Sequence, residues 1–226
     1  MQLILTGGGD SSHFHKIDSH FIKLLKNNPS LLFIPLAGKR KNWKNGLERI
    51  SETFSTIHFK NIDMCINLAE LTWSQLKKYD AVYFDGGNTF QLLSKIRHTH
   101  MFELLQRFLH HGGVINGDSA GAVVLGSHIE TAHFGHSGDE NLAGVISYQG
   151  LNLLGNWGIH CHYQRSENRE IKKFVKEYGI PILALHEETA VSIKGKWLKV
   201  IGERSASLFD TSKVTIVKVG QRYKLP

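Results

Sequence analysis

Short apolar runs rich in β-forming residues alternate with helical patterns over the first half of this chain. The runs predicted to be buried strands are 3–5, 31–34, 56–59, 81–84 and 113–116. The helices predicted between them lie at about residues 17–25, 43–54, 72–78, 89–96 and 101–110. In the last helix the apolar residues recur every three or four positions and share one face. This alternation predicts an α/β, flavodoxin-like fold: a mostly parallel sheet with helices on both faces.

Glycine-rich loops follow three of the predicted strands. They are Gly7-Gly8-Gly9, Gly86-Gly87 and the segment that contains Gly117 and Gly121. Parallel sheets bind their ligands beyond the carboxyl ends of the strands. We therefore expect the three loops to cluster along one edge of the sheet, where a functional site would lie.

The second half of the chain has a different pattern. Residues 128–156 are rich in Gly, His and Asn, have no clear period, and are typical of a long excursion beside an active site. A strand-like run at 157–162 and a helix at 166–178 follow it. The runs that then predict antiparallel C-terminal strands are 182–185, 190–193, 197–200 and 214–217. With no repeat or linker, residues 1–226 are expected to form a single domain.

Composition and charge exclude several classes of protein. The formal net charge is +7, but the lysines are scattered and do not interleave with aromatic residues, so no nucleic-acid partner is predicted. No stretch of 18 apolar residues occurs, and the N-terminus lacks the pattern of a signal peptide, so no membrane partner is expected. The two cysteines, Cys65 and Cys161, form no disulfide framework. Together these features favour a cytoplasmic protein.

The run Gly117-Asp118-Ser119-Ala120-Gly121-Ala122 lies between a predicted strand and a predicted helix. This is the layout of a nucleophile elbow, in which a serine occupies a sharp strand-to-helix turn flanked by glycines. Such a turn exposes the hydroxyl group of Ser119 and directs the N–H group of Ala120 to the same point. A glycine-rich turn that is packed closely for steric reasons alone is the competing interpretation.

A serine needs a base to act as a nucleophile at neutral pH, and the chain has fourteen histidines. His162 is the best candidate, because it ends a strand-like run where the chemistry of parallel sheets gathers. His160 lies two residues earlier and is the alternative. The His160-Cys161-His162 run could also suggest a metal site, but no cysteine pair or His-Glu-x-x-His motif completes it. No metal is therefore predicted.

The histidine should be oriented by a carboxylate, and the sequence offers several. Glu187 and Glu188 directly follow the strand at 182–185, whereas Asp139 and Glu140 lie in the excursion. These alternatives stay open on the residues alone.

A second N–H donor for an oxyanion could come from Gly86-Gly87, although Asn88 also suits the N-terminus of a helix. A glycine-rich loop before a helix could instead hold phosphate. Yet neither Gly-x-Gly-x-x-Gly nor the Walker pattern occurs.

Four segments together resemble the dipeptidase E family of serine peptidases, whose fold is like that of class I glutamine amidotransferases. Residues 83–93 (YFDGGNTFQLL) resemble the Gly-Gly-Asn segment of the family, and residues 117–122 (GDSAGA) resemble its nucleophile motif. Residues 157–163 (WGIHCHY) are similar to the family's histidine segment, and residues 185–190 (LHEETA) to the segment after its penultimate core strand. The resemblance covers most of residues 1–200.

The resemblance implies a role for each matching residue. Ser119 would be the nucleophile, His162 the base and Glu187 the orienting carboxylate. The N–H groups of Gly87 and Ala120 would form the oxyanion hole. This Ser…His…Glu order agrees with the Cys…His…Glu order of the amidotransferase relatives and differs from the Ser…acid…His order of α/β-hydrolases.

The resemblance also implies a substrate. Family members that cleave after an N-terminal aspartate bind its carboxylate with an arginine beyond the histidine. Arg169 is the nearest match, Arg165 is the alternative, and Asn88 is the third candidate substrate-binding residue. The segment between His162 and Arg169 is shorter than in those dipeptidases.

The function implied is hydrolysis of small peptides through an acyl-enzyme, with N-terminal Asp-X dipeptides among the substrates and with no cofactor. A homodimer is compatible with this function. The alternatives are a cyanophycinase-like β-aspartyl peptidase, an α/β-hydrolase-type esterase that uses Ser119, Asp139 and His162, and a binding homologue without activity.

Overall fold

A computed structural model describes residues 1–10, 12, 14–136 and 138–225. The strands are β1 (Gln2–Thr6), β2 (Ser30–Ile34), β3 (Asn61–Met64), β4 (Ala81–Phe84), β5 (Val114–Asp118), β6 (Gly158–His160), β7 (Ile182–Leu185), β8 (Thr189–Lys194), β9 (Trp197–Gly202), β10 (Ala206–Phe209), β11 (Val214–Val217) and β12 (Arg222–Lys224). The helices are α1 (His15–Ile22), α2 (Trp43–Thr53), α3 (Trp73–Leu76), α4 (Thr89–Ile96), α5 (Met101–His110), α6 (Ala120–Leu125) and α7 (Asn168–Tyr178).

The larger sheet has the strand order β12-β9-β8-β1-β5-β4-β2-β3. The five strands from β1 to β3 in this order are parallel to one another. Strands β8, β9 and β12 extend the sheet in antiparallel fashion on the other side of β1. This architecture confirms the predicted α/β fold with a mostly parallel sheet and C-terminal antiparallel strands.

Helices cover both faces of this sheet. Successive side chains of β1 point to opposite faces, and each face packs against different helices. Ile4 packs with Phe21 of α1 and Ile50 of α2 in one apolar cluster. Leu3 and Leu5 face the opposite cluster, to which helices α4, α5 and α6 contribute their buried side chains. Because strands buried on both faces need apolar residues at every position, β1, β2 and β4 are apolar along almost their whole length.

A smaller sheet, of order β11-β10-β7-β6, packs on the α6 side of the molecule. Its β7 alternates: Leu183 and Leu185 join the main core, whereas Ile182 and Ala184 face the apolar side of α7. The carboxyl ends of β6 and β7 lead directly to the segments that contain His162 and Glu187. This small sheet therefore carries two of the predicted site residues.

One predicted strand was wrong. The run 56–59 is not a strand; the edge strand β3 begins at Asn61 instead. Phe59 packs against Phe54 with ring centroids 6.0 Å apart, so the apolar character of this run serves core contacts after α2. Strands β10 and β12 were not predicted.

Within the described residues, no helix combines the length and the apolar character needed to cross a bilayer.

Candidate active site

Ser119 occupies the turn between β5 and α6 in a conformation that non-glycine residues rarely adopt, with φ 48° and ψ −111°. Its backbone N–H donates to the carbonyl oxygen of Thr6 at 3.2 Å. Its own carbonyl oxygen accepts the N–H groups of Ala122 at 2.8 Å and Val123 at 2.9 Å, which begin the helix. The turn is thus strained but tied at both ends, as expected for a nucleophile elbow.

The two glycines of the elbow are required by close packing. A Cβ atom on Gly117 would lie 2.7 Å from the carbonyl oxygen of Gly121. A Cβ atom on Gly121 would lie 2.4 Å from the carbonyl oxygen of Phe84 at the end of β4. Because neither glycine has a Cβ atom, α6 can begin directly against β4 and β5, and Ser119 projects beyond the carboxyl edge of the sheet.

Ser119, His162 and Glu187 form a continuous hydrogen-bonded chain. The Ser119 Oγ atom lies 2.8 Å from Nε2 of His162, and Nδ1 of His162 lies 2.9 Å from Oε1 of Glu187. A carboxylate at Nδ1 favours the tautomer that carries its proton there, so Nε2 is left to accept the hydroxyl proton. The imidazole is 31 % exposed and the carboxylate 56 % exposed, so the chain opens to solvent on the Glu187 side.

Successive carbonyl groups at the end of β1 hold all three segments of this chain. The Thr6 carbonyl accepts the N–H of Ser119, and the Gly7 carbonyl accepts the N–H of His162 at 2.9 Å. The Gly8 carbonyl accepts the N–H of Glu188 at 2.9 Å, directly after Glu187. Three distant parts of the sequence are therefore fixed to one short piece of backbone.

Gly8 makes the contact between serine and histidine sterically possible. Its φ is +79°, and a Cβ atom there would lie 2.4 Å from Cε1 of His162 and 3.2 Å from Cβ of Ser119. The sequence predicts that this loop lies at the edge of the site but indicates no role for it. The only signal available in the sequence was the position of three glycines directly after a strand.

The predicted oxyanion donors, Gly87 and Ala120, both border the nucleophile. Gly87 has φ +140°, and a Cβ atom there would lie 2.4 Å from the carbonyl oxygen of Ala37. The neighbouring Gly86 is also close to the nucleophile, since a Cβ atom on Gly86 would lie 3.5 Å from Cβ of Ser119. Within the part of the chain that the structure describes, neither the N–H of Gly87 nor that of Ala120 has a hydrogen-bond partner. Both groups are therefore available to a ligand.

A cavity of about 350 Å³ opens beside Ser119 and His162. Three carboxylate residues, Asp118, Asp139 and Glu167, contribute to its lining, and no Lys or Arg among the described residues does. Burial raises the pKa of Asp118, against the opposing effect of a hydrogen bond from Thr6. We refer to this cavity as the reaction pocket.

His160 also lines the reaction pocket but is engaged elsewhere. Its Nε2 lies 2.8 Å from Oε2 of Glu167, its Nδ1 lies 3.2 Å from the carbonyl oxygen of Thr131, and only 3 % of the side chain is exposed. Burial raises the pKa of Glu167, but the hydrogen bonds from His160 and from the N–H of Gln164 outweigh it, and the net shift is downward. Of the two candidate histidines, the structure brings only His162 to Ser119.

The alternative residues Asp139 and Glu140 make structural contacts instead. Oδ2 of Asp139 accepts the N–H of Thr89 at 2.8 Å, in the first turn of α4. The backbone carbonyl of Glu140 accepts the side-chain amide of Asn88 at 2.9 Å. These two bonds attach the 128–156 excursion to the start of α4, while the carboxylate beside His162 belongs to Glu187.

The predicted substrate-binding residues do not line the reaction pocket. Arg165 and Arg169 are both exposed, in a 3-10 turn before α7 and in the first turn of α7. Asn88 caps α4, since its Oδ1 accepts the N–H of Gln91 at 2.9 Å. Within the described ranges, no group of three His, Cys, Asp or Glu side chains is arranged to hold a metal ion.

Comparison with known proteins gives a consistent result. A family model described as peptidase family S51 matches residues 3–201. Peptidase E of Nostoc sp. (strain PCC 7120) is 29 % identical over 189 residues, which are 79 % of this chain and 75 % of the relative. A probable alpha-aspartyl dipeptidase of Drosophila melanogaster is 30 % identical over 145 residues, which are 59 % of this chain and 58 % of that protein.

A solved structure shows the same fold. The crystal structure of a peptidase from an acI-B1 Actinobacterium superposes with a TM-score of 0.74 at 16 % sequence identity. The alignment covers 99 % of this chain and 96 % of the other. The matched family segment spans β1 to β9 and therefore contains all residues of the Ser119–His162–Glu187 chain.

The role of Gly8 can be tested with Gly8→Ala. The added Cβ should displace the His162 ring and reduce the rate at which Ser119 reacts with a fluorophosphonate probe by about 100-fold. Gly112→Ala is the matched control, because Gly112 has φ +85° but no atom within 4 Å of its Cβ position. Equal labelling rates for the two folded variants would show that Gly8 does not set the distance between Ser119 and His162.

Proposed function

Because this chain belongs to peptidase family S51, we propose that it is a serine peptidase that hydrolyses short peptides through a Ser119–His162–Glu187 triad. The observation that carries the proposal is the unbroken hydrogen-bonded chain from Ser119 Oγ through the imidazole to the Glu187 carboxylate, with distances of 2.8 and 2.9 Å. This geometry supplies a nucleophile, a general base and an orienting group in one arrangement.

The first half of the reaction forms an acyl-enzyme. Nε2 of His162 takes the proton of Ser119 while Oγ attacks the carbonyl carbon of the peptide bond. Glu187 accepts a hydrogen bond from Nδ1–H and stabilises the imidazolium that forms. The N–H groups of Gly87 and Ala120 would bind the negative oxygen of the tetrahedral intermediate, where donors held in place are most effective.

The second half releases both products. The imidazolium gives its proton from Nε2 to the leaving amine as the carbon–nitrogen bond breaks, and an ester remains on Ser119. Water then attacks this ester, with His162 as its base, and Oγ regains a proton as the acid product leaves. The sequence of proton transfers needs only the residues named and water.

Specificity for N-terminal aspartate is a narrower hypothesis. The relative from Drosophila is named a probable alpha-aspartyl dipeptidase. In this chain such specificity would require Arg165 or Arg169 to reach the reaction pocket, and both are exposed side chains outside its lining. We therefore propose short peptides as the substrate class, with no preference for aspartate at the first position.

The esterase alternative has less support. It would need Asp139 to orient His162, but the Asp139 carboxylate accepts a backbone N–H of α4 and Glu187 occupies the position at Nδ1. Binding without catalysis does not require a strained Ser119 whose Oγ lies 2.8 Å from an imidazole nitrogen. The observed geometry therefore favours an enzyme over a binding homologue without activity.

The Ser119→Ala variant should fold normally and lose hydrolysis of a dipeptide library by at least about 1000-fold, because it removes the nucleophile. Mass spectrometry of the products measures turnover, and a fluorophosphonate probe should form its adduct at Ser119 of the wild type only. Near-wild-type turnover by the pure variant would reject the mechanism. Rapid hydrolysis of p-nitrophenyl esters with no hydrolysis of peptides would favour an esterase.

The orienting carboxylate can be identified by comparing Glu187→Gln with Asp139→Asn. Both variants remove one negative charge and keep nearly the same shape. Glu187→Gln should lower kcat by about 100- to 10,000-fold with little change in KM, since it removes the acceptor that stabilises the imidazolium. Asp139→Asn should retain most of the activity if its role is to cap α4. The opposite ranking would transfer the catalytic role to Asp139.

A further inference from the structure

A second and larger cavity lies on the other side of residues 85–88, which we call the oxyanion loop. It has a volume of about 1600 Å³, and Gly87 lines both this cavity and the reaction pocket. We call this cavity the basic cleft; it runs between the segment 35–46, which ends in the first turn of α2, and the start of α4. A ligand bound at Ser119 could therefore extend past Gly87 into the cleft without leaving the protein surface.

The charged residues that line the basic cleft differ from those that line the reaction pocket. The basic residues of its lining are Lys39, Arg40, Lys41, Arg49 and Lys95. The one carboxylate residue among the described lining residues is Asp85, and it pairs with Arg49 at 2.6 Å. The other four cations have no ion-pair partner within the described part of the chain. An anionic group in this cleft would meet unneutralised positive charge.

The backbone that presents these cations is fixed. The side-chain amide of Gln91 donates to the carbonyl oxygens of Leu36 and Gly38, both at 3.0 Å, and the Trp43 indole N–H donates to Gly38 at 2.9 Å. The N–H of Asn88 donates to the carbonyl oxygen of Ala37 at 2.9 Å. The loop is thus tied to the oxyanion loop and to α4, so little backbone ordering would be needed when a ligand binds.

The reaction pocket cannot offer the same complement to an anion. Its carboxylate residues are Asp118, Asp139 and Glu167, with no Lys or Arg in the described lining. A short peptide with free ends carries a positive charge at one end and a negative charge at the other. Cations in one cavity and carboxylate residues in the other would align such a peptide across Ser119.

Resting on the proposed peptidase function, we infer that the basic cleft binds the terminal carboxylate of the peptide substrate. The amino end of the substrate then lies on the reaction-pocket side. Lys39, Arg40 and Lys41 are the specificity-determining residues, and the ligand class is short peptides with a free carboxyl end. Blocking that end as an amide removes the charge that the cleft recognises and leaves the reacting bond unchanged.

The experiment compares Leu-Ala and Leu-Ala-Ala with their C-terminal amides. The wild type should prefer the acid by about tenfold in kcat/KM, the effect of several exposed ion pairs together. The triple variant Lys39→Ala/Arg40→Ala/Lys41→Ala should bring the acid-to-amide ratio of kcat/KM close to one, chiefly because kcat/KM for the acids falls. The matched control Lys172→Ala/Lys173→Ala/Lys176→Ala removes three exposed charges from α7 and should keep the wild-type ratio.

Binding measured separately from turnover distinguishes failure of this inference from failure of the proposed function. Calorimetry with the Ser119→Ala variant measures binding without turnover and should show tighter binding of the acid than of the amide. This difference in affinity should disappear when Lys39→Ala, Arg40→Ala and Lys41→Ala are added to Ser119→Ala, even if wild-type turnover is slow. Equal ratios in the wild type and the triple variant would overturn the inference, as would no preference in the wild type. Loss of the preference in Arg165→Ala/Arg169→Ala, with the triple variant unaffected, would also overturn the inference and would assign the carboxylate to these two arginines.

Discussion

The carbonyl groups of Thr6, Gly7 and Gly8 are the constraint on which the site depends. Each accepts a backbone N–H from a different segment, namely the elbow, the turn after β6 and the turn after β7. The short segment at the end of β1 therefore sets the relative positions of the three functional side chains. Because these are backbone bonds, they fix position without restricting which side chains stand there. A strand in the middle of the sheet is a suitable support, since it is itself bonded on both sides.

This arrangement requires unusual backbone conformations. Ser119, His162 and Glu188 all have positive φ, at 48°, 54° and 59°. Such conformations cost of order 1–3 kcal/mol each in non-glycine residues and persist only where surrounding contacts hold them. Here each of the three strained residues donates its N–H to the β1 segment, and Gly8 leaves the space that the imidazole needs. The strain is thus concentrated where three segments meet, which is also where chemistry is proposed.

Local patterns in the sequence predicted much of this fold. Helix α5 follows a clear 3.6-residue apolar period, and strand β7 is a short continuous apolar run. The bounds predicted for both elements coincide with those in the structure. The elbow was recognisable because its glycines and serine have fixed spacing. The placement of β7 in a separate small sheet was not predictable, since it depends on pairing with β10, a strand with no distinct signal. The role of Gly8 was hidden for the same reason, because the atom that it accommodates is 154 positions away in the chain.

The most direct test is a crystal structure of the protein after reaction with a small fluorophosphonate. The account predicts a phosphorus atom bonded to Ser119 Oγ, with the phosphoryl oxygen about 3 Å from the nitrogen atoms of both Gly87 and Ala120. The backbone N–H of His162 should still donate a hydrogen bond to the Gly7 carbonyl, and Nδ1 of His162 should still be hydrogen-bonded to Glu187. An adduct on another residue, or a phosphoryl oxygen that points away from both N–H groups, would contradict the account.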